Sequence, residues 1–408
     1  MGPSASGAGA LSPEQHARIV RQIALIPLYV WVIFVWSIFV SQLPAVPGND
    51  RTHLIRDFLH FYAQGAITRD HDAGALYDLE SMAAASERVA PVAVGRQFPP
   101  VYPPQVGLLF APLSLLGYER ALYTWLALSM GLTTLCAWLV WRARRAERLS
   151  RWTTIVLVLG APGLHFMFSF GQVSVIALGC FTAIWLALAR GKPFLAGLAI
   201  GALAYKPQLG IVAACVCLLG GEWAMVAGAA VSVAAQAIVV LTYWGTSIVP
   251  AYLNALARLP AVIDAMEPDK AIMHSWRSLF LQLGLATTPA LMASLVCSVA
   301  TVALAVTAWR TRGSIALRYA VLVLATVLVN PHVFGWDLLL LLPALFVTWD
   351  WAETARTPQL VWLAAAVYAA PIVTIAIPAI PVQWSVPAMA VLSVALWRQL
   401  RLQIAAHA

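Results

Sequence analysis

Long apolar runs alternate with short polar breaks along almost the whole chain. Runs that could form spans lie near 22–44, 104–117, 119–142, 152–168, 172–190, 193–220, 222–244, 287–309, 315–330, 334–349, 359–377 and 383–400. A helix crossing the hydrocarbon core of a bilayer needs roughly 17 to 25 apolar residues. Several of these runs are shorter, and 193–220 is interrupted by "YKPQ". The pattern predicts an all-α polytopic membrane protein: a tail over 1–21, a single transmembrane domain over 22–400 and a tail over 401–408. Two polar breaks are long enough to fold, 45–103 and 245–286. The first contains "THLIRDFLHFYAQG" (52–65), which reads as an amphipathic helix with one acid, Asp57, in its first half. Its apolar residues Phe58, Leu59 and Phe61 are expected to rest in lipid at the interface and set the height of Asp57. Residues 1–15 are rich in Gly, Ala and Ser and offer little to pack. No helical repeat of fixed period stands out.

Composition supports the membrane assignment. Of 408 residues, 61% are hydrophobic and 10% charged, against about 25% charged in a soluble domain. The 17 Trp fit interfacial anchoring. The net charge of +8 is not a nucleic-acid signal, because the arginines form short clusters between apolar runs. Arg18 and Arg21, "RARRAERLSR" (142–151), "RTRG" (310–313) and "RQLR" (398–401) mark cytoplasmic segments by the positive-inside rule. The 45–103 and 245–286 loops then lie outside, and together they hold ten of the 17 acidic residues. One conflict follows. If 104–117 crosses fully, the five-arginine segment falls outside. Either 104–117 and part of 193–220 are re-entrant, or the charge rule fails once. Broken backbone at membrane depth needs cover from protein or a watery cavity, so the conflict points to a cavity near "YPP" (102–104) and "YKPQ" (205–208). The five cysteines, Cys136, Cys180, Cys215, Cys217 and Cys297, all lie in apolar runs and read as small lipid- or bundle-facing residues. The first run is long enough to be a retained helix rather than a cleaved signal.

Ionisable and amide groups inside or beside apolar spans are costly and are functional candidates by default. They are Asp57, Gln172, Lys206, Gln208, His274, Arg277, Asn330, His332 and Asp337. Each has a plainer reading. Lys206 could snorkel to the interface. Gln172 could bond a neighbouring helix. Asp337 could pair with an arginine, His332 could cap or pair structurally, His274 and Arg277 could be ordinary loop residues, and Asp57 a solvated acid. As a set they fall on or near the external side. They combine a base (Asp57 or His332), cations (Lys206, Arg277) and neutral hydrogen-bonders. A cation beside neutral donors suits a phosphate, and a carboxylate suits a hydroxyl that must lose its proton. That pairing fits transfer of a sugar from a phosphate-bearing carrier. There is no GxGxxG, Walker loop or HExxH, no GxSxG and no zinc spacing. Asp70 and Asp72 in "RDHDAG" have metal-like spacing but read as a solvated turn.

The series "RDFLHFYAQGA…GALYD", "FPPVYPPQVGLLFAPLSLL", "GQVSVIALG", "YKPQLGIVAACVCLL" and "NPHVFGWDLLLLLPAL" resembles glycosyltransferase family 87, from about residue 50 to residue 346. The resemblance implies a GT-C-type bundle of about 11–12 transmembrane helices, with short amphipathic helices in the first external loop. It also implies inverting transfer of mannose or another hexose from a polyprenyl-phosphate carrier. The carrier's tail would lie among the helices, and the acceptor would be a lipid-linked sugar or a glycan. Asp57 matches the family's catalytic loop acid, His332 its late His, Lys206 the Lys of "KP" and Gln172 the Gln of "GQ". Asp57 and His332 are the expected catalytic pair. Tyr62, Tyr102, Gln172, Lys206, Gln208, His274, Arg277, Asn330 and Asp337 are the expected substrate-binding residues. No metal, nucleotide or other cofactor is demanded, and no nucleic acid is a partner. The expected setting is a bacterial inner membrane with the site facing the periplasm. The chain departs from the pattern at "HSWRS" (274–278) and "NPHVFGW" (330–336), which bears on sugar and acceptor. The main rival is a transporter or flippase of lipid-linked saccharides, with ionisable groups at mid-membrane. A non-catalytic scaffold, with scattered polar residues, is the other.

Overall fold

The computed structural model describes residues 26–41, 56–90, 99–143, 150–266, 272–376 and 382–405. The expected tail 1–21, the middle of the arginine segment (144–149) and the last three residues lie outside the described residues. Among those described, the fold is all-helical. There is no strand, only one isolated antiparallel bridge between Met273 and Phe334.

Helix α1 (Ile26–Ser41) is followed by a helical cap: α2 (Arg56–Arg69), α3 (Ala73–Leu76) and α4 (Leu79–Val89) from the first polar segment, and α5 (Pro104–Phe110) from the apolar run after it. Then come α6 (Tyr118–Arg142), α7 (Arg151–Leu159), α8 (Pro162–Phe170), α9 (Ser174–Ala189), α10 (Pro193–Ala202), α11 (Pro207–Gly220) and α12 (Trp223–Trp244). The second polar segment forms α13 (Ile248–Met266) and α14 (Trp276–Gln282). The rest is α15 (Thr287–Arg310), α16 (Ile315–Val329), a 3-10 turn over Gly335–Leu341, α17 (Leu342–Thr354), α18 (Pro358–Ala376) and α19 (Ser385–Ala405). At the centre stands α16, apolar on every side and buried from Tyr319 to Leu328, as expected of a helix surrounded by others. By length and composition, four described helices can cross a membrane alone, or five if the bent pair α7–α8 counts as one. A third or less of each of the four crossing stretches is buried inside the protein, which leaves most of each apolar stretch uncovered by protein, as suits a helix set in lipid. Five shorter apolar helices, α1, α9, α10 with its terminal turn, α11 and α16, complete the bundle.

The charge conflict has a structural answer. The 104–117 run does not cross. Its helix α5 has seven residues, about 10 Å, and a 3-10 turn at Leu113–Leu115 ends it before α6 begins. The 193–220 run turns back on itself at Lys206, so that Gly210 lies against Leu203 and the Ile200 carbonyl. Proline starts both α10 and α11, where its missing N–H costs nothing. A Gly-x-x-x-Gly pair on α10, Gly197 and Gly201, seats that helix on the α12 backbone at Met225 and Ala229, and Gly228 of α12 meets Phe194 in return. Small residues allow such close approach in lipid.

The bend between α7 and α8 is 50°, with Pro162 opening the second half. The carbonyls freed at the break are all taken. Trp31 Nε1 donates to Gly160 O at 2.9 Å, Trp36 Nε1 to Leu159 O at 2.9 Å and the Tyr368 hydroxyl to Leu157 O at 2.7 Å. Apolar surroundings make such matching obligatory.

One expectation fails. Helix α2 does not rest in lipid. Phe58 and Phe61 are 0% exposed and Leu59 2%. Phe58 packs on Phe110 and Tyr118, and Phe61 on Phe110 and Tyr102. Nor is α2 amphipathic: from Phe58 to Thr68 all but one residue is buried, because α4, α5 and α6 enclose it. Helix α4 does show the expected one-sided burial, through Met82, Ala85 and Ser86.

Candidate functional site

Two ends of the bundle can be told apart. At one, Arg310 Nε donates to Leu219 O at 3.0 Å, Arg318 pairs with Glu222 and lies 4.4 Å over the Trp309 ring, and the Gln403 side chain accepts from Ser314 N. At the other end lie the candidate residues.

Asp57 stands in the first turn of α2, half-buried. Gln172 Nε2 donates to its Oδ2 at 2.5 Å. The position of Gln172 follows from the end of α8. Gly171 adopts the left-handed conformation at φ +64. Gln172 N then bonds Met167 O at 2.9 Å and Gly171 N bonds Phe168 O at 3.3 Å, a Schellman end that glycine makes possible. Trp125 Nε1 holds the Gly171 carbonyl at 3.1 Å, so the turn carrying Gln172 is anchored from α6 as well.

Lys206, at the turn between α10 and α11, is 3% exposed and bonds Asp337 at 2.5 Å; Asp337 is 0% exposed. The same Oδ1 accepts from Ser174 Oγ at 2.8 Å, and Oδ2 accepts from Phe334 N at 3.3 Å. Asp337 thus ties the starts of α9 and α11 to the 330–341 segment. A charge this deep requires a partner, so the Lys206 cation is compensated within the protein. The partner of Asp337 is this lysine, not the arginine weighed from sequence. Tyr102, just before α5, links the two carboxylates: burial, then Asp337, then Asp57 hold its phenol well above the usual range.

The remaining candidates divide. His274 joins the site wall. Its backbone N–H bonds Val333 O at 2.8 Å, and its Nδ1 lies 2.7 Å from Ser385 Oγ. Burial pushes its pKa down to about 3, opposed by Asp337. Asn330, 1% exposed, accepts the His332 N–H at 3.0 Å through Oδ1, while its Nδ2 has no hydrogen-bond partner among the described residues. The His332 ring is half-buried and edge-on to Phe334 at 4.8 Å, and Phe334 stacks on Trp336 at 4.6 Å. Gln208 and Arg277 are half-buried in the first turns of α11 and α14. Tyr62 points elsewhere. Its hydroxyl donates to Leu116 O at 2.8 Å and its ring packs on Phe58 and Tyr118. Five residues after Asp57, it leaves α2 on a different side. Asp72 caps α3 by accepting from Gly74 N and Ala75 N at 2.9 and 3.0 Å, a local turn role. Among the described residues no cluster of three His, Cys, Asp or Glu could hold a metal ion.

Three neighbours carry no mark in the sequence reading. Ser174 bonds Asp337. His60 on α2 lies against Tyr102 at 5.8 Å, and burial pushes its pKa down to about 4. His165 sits on α8 within an apolar run. The rule that finds ionisable groups in apolar stretches would have singled out His165; Ser174 and His60 have no comparable signal.

The family model for glycosyltransferase family 87 matches residues 101–331, more than half of the chain. Tyr102, Gln172, Lys206, Gln208, His274, Arg277 and Asn330 fall inside that stretch; Asp57, His332 and Asp337 fall outside it and stand on their geometry. Nothing among curated proteins or solved structures matches the chain. With an all-helical bundle of lipid-facing helices and a family match over most of it, the chain belongs to glycosyltransferase family 87 and is a multi-pass membrane glycosyltransferase.

Proposed function

We propose that the enzyme transfers a hexose, mannose by family resemblance, from a polyprenyl-phosphate carrier to a lipid-linked or glycan acceptor. The reaction inverts the anomeric centre and runs on the periplasmic face of a bacterial inner membrane. Asp57 is the general base. It takes the proton of the acceptor hydroxyl as that oxygen attacks the anomeric carbon. The bond from that carbon to the phosphate oxygen breaks, and the polyprenyl phosphate leaves with the electron pair. General-base help of this kind contributes about 10² to 10⁴ in rate. No nucleotide, metal or other cofactor enters the scheme.

The observation that carries the reading is the Asp57–Gln172 contact. A half-buried carboxylate is fixed by an amide at the bundle end that also holds Tyr102, Lys206 and Asp337. A donor that fixes the base in one orientation is what proton abstraction needs. Lys206 is paired with Asp337, so it serves the site as part of a neutral couple rather than as a lone phosphate cation. His332 and Arg277 lie at the same end, where they serve to orient the acceptor. Orientation rests on charge. Arg142 and Arg310 in the last turns of α6 and α15, Arg190 just after α9 and Arg398 in the second half of α19 all lie on the side away from the site end, which supports placing that end outside. The gathering of polar groups at one end also argues against a transporter, whose ionisable groups belong near the midplane.

The test is purified protein in lipid, supplied with a panel of polyprenyl-phosphate sugars with and without glycolipid acceptors, and assayed for carrier release. Acceptor-dependent release from one donor is expected. Release from nucleotide sugars alone would overturn the donor class.

A further inference from the structure

The reading above leaves the donor's phosphate without a seat, since the Lys206 charge is matched by Asp337 and Asp57 itself repels an anion. Helix α8 offers one. It is apolar except for His165 and Ser169, four residues apart and therefore on one face. The other faces of α8 are spoken for. Gly163 meets the backbone of the 335–341 turn, where a Cβ would lie 2.5 Å from Leu339 N; Phe166 lies against Gly335, and Phe170 packs 5.1 Å from Trp336. Phe168 packs on Trp36 and Phe39 of α1 at 5.5 and 5.8 Å. His165 and Ser169 are left facing the gap between α1 and that turn.

Both are half-buried, and His165 Nδ1 and Ser169 Oγ are shielded from solvent with no hydrogen-bond partner among the described residues. Polar atoms in such a place cost free energy unless something completes them. The face leads from the site inward. Ser169 lies about one turn of helix from Gln172 and His165 about 10 Å from it along the axis. At the inner end of α8 is the bend, and at the bend begins an apolar groove of 330 Å³ between α1, α7, α17 and α18, lined by Leu28, Trp31, Leu157, Phe346, Ala365 and Tyr368 among others. A ligand that is polar at the level of α8 and purely hydrocarbon beyond the bend matches this sequence of surfaces.

We propose that His165 and Ser169 bind the phosphate of the polyprenyl-phosphate carrier, with the first isoprenes entering the groove at the α7–α8 bend. The proposal rests on the donor class put forward above. An imidazole N–H and a hydroxyl both donate to phosphate oxygens, and such charge-assisted bonds are the strong ones. The seat lies on the membrane side of Asp57, so sugar, phosphate and lipid would follow one another inward from the base.

The experiment measures binding of undecaprenyl phosphate and of undecaprenol to the full protein in nanodiscs, by quenching of tryptophan fluorescence. Wild type is compared with His165→Gln and with the double variant His165→Ala, Ser169→Ala, each first checked for an unchanged melting profile. Wild type is expected to prefer the phosphate. The double variant is expected to lose about ten-fold or more in affinity for the phosphate and to hold undecaprenol within about two-fold. His165→Gln, which keeps a donor, is expected to retain most of the phosphate affinity. Unchanged phosphate affinity in the double variant, or an equal loss for both ligands, overturns the phosphate seat while leaving the donor class intact. A wild type that binds neither ligand overturns the donor class and the seat with it.

Discussion

At the level of single residues, the site is built on buried polar groups that pair with one another. Lys206 and Asp337 form the deepest pair. Breaking such a pair from one side strands a charge, at a cost of about 3 to 5 kcal/mol. Lys206→Met or Asp337→Leu alone should therefore lower the melting temperature sharply, whereas the double variant should regain most of the lost stability. Thermal melts of the three variants decide this; additive losses would contradict it. The two buried histidines set a pH dependence. His60 and His274 are pushed from 6.5 to about 4 and about 3 by burial. Below pH 6.5 the unfolded chain takes up protons that the folded chain refuses, so stability falls as pH drops from 6.5 toward 4, by up to about 1.4 kcal/mol per pH unit for each group. His60→Gln should make that acid slope shallower, as read from melting temperatures across the range. Lys206 and Gln172 were legible in the sequence because each is expensive where it stands. The role of Asp337 was only half legible: its depth was visible, but its partner required the fold to bring residue 206 to residue 337. Tyr62 looked like a site residue through its nearness to Asp57 in sequence, and helix geometry turns it away.

At the level of elements, breaks and close approaches position the site. The αL turn at Gly171 delivers Gln172, the reversal after α10 delivers Lys206, and the 3-10 turn over Gly335–Leu341 delivers Asp337. The polar break "YKPQ", with its proline, marked the reversal in the sequence, but apolar pattern alone made one run of 193–220 where there are two helices, because both halves are equally hydrophobic. Nor could pattern tell that α2 is enclosed by protein rather than lipid; the two solvents of an apolar side chain look alike in sequence. The docking of α2, which carries Asp57, depends on Gly65. A Cβ there would lie 2.5 Å from the Phe110 carbonyl oxygen, and overpacking of this kind costs about 1 to 3 kcal/mol. Gly65→Ala should lower both melting temperature and transfer rate. Gly131→Ala, in open space within α6, should be neutral or stabilising by up to about 1 kcal/mol. A Gly65→Ala protein with unchanged melting would show that α2 can shift freely, and that its seat does not fix Asp57.

At the level of the whole molecule, charge and polarity are divided between the ends of a lipid-facing bundle. Arg310 and Arg318, the latter paired to Glu222, lie at one end, and the amide-held carboxylate with its compensated lysine lies at the other, where the cap carries Arg69 as well. The all-α polytopic class was legible from composition, and the family from motif order. The arrangement of the ends was legible only once 104–117 was known not to cross and 193–220 to cross back, since each error alone reverses every later segment. Everything proposed for the chemistry depends on the Asp57 carboxylate removing the acceptor's proton. Its most direct test is Asp57→Asn, purified in lipid and compared with wild type for acceptor-dependent carrier release, with folding checked by melting temperature. A folded protein whose transfer rate falls about 10² to 10⁴-fold is expected; a folded Asp57→Asn enzyme transferring at the wild-type rate would rule Asp57 out as the base.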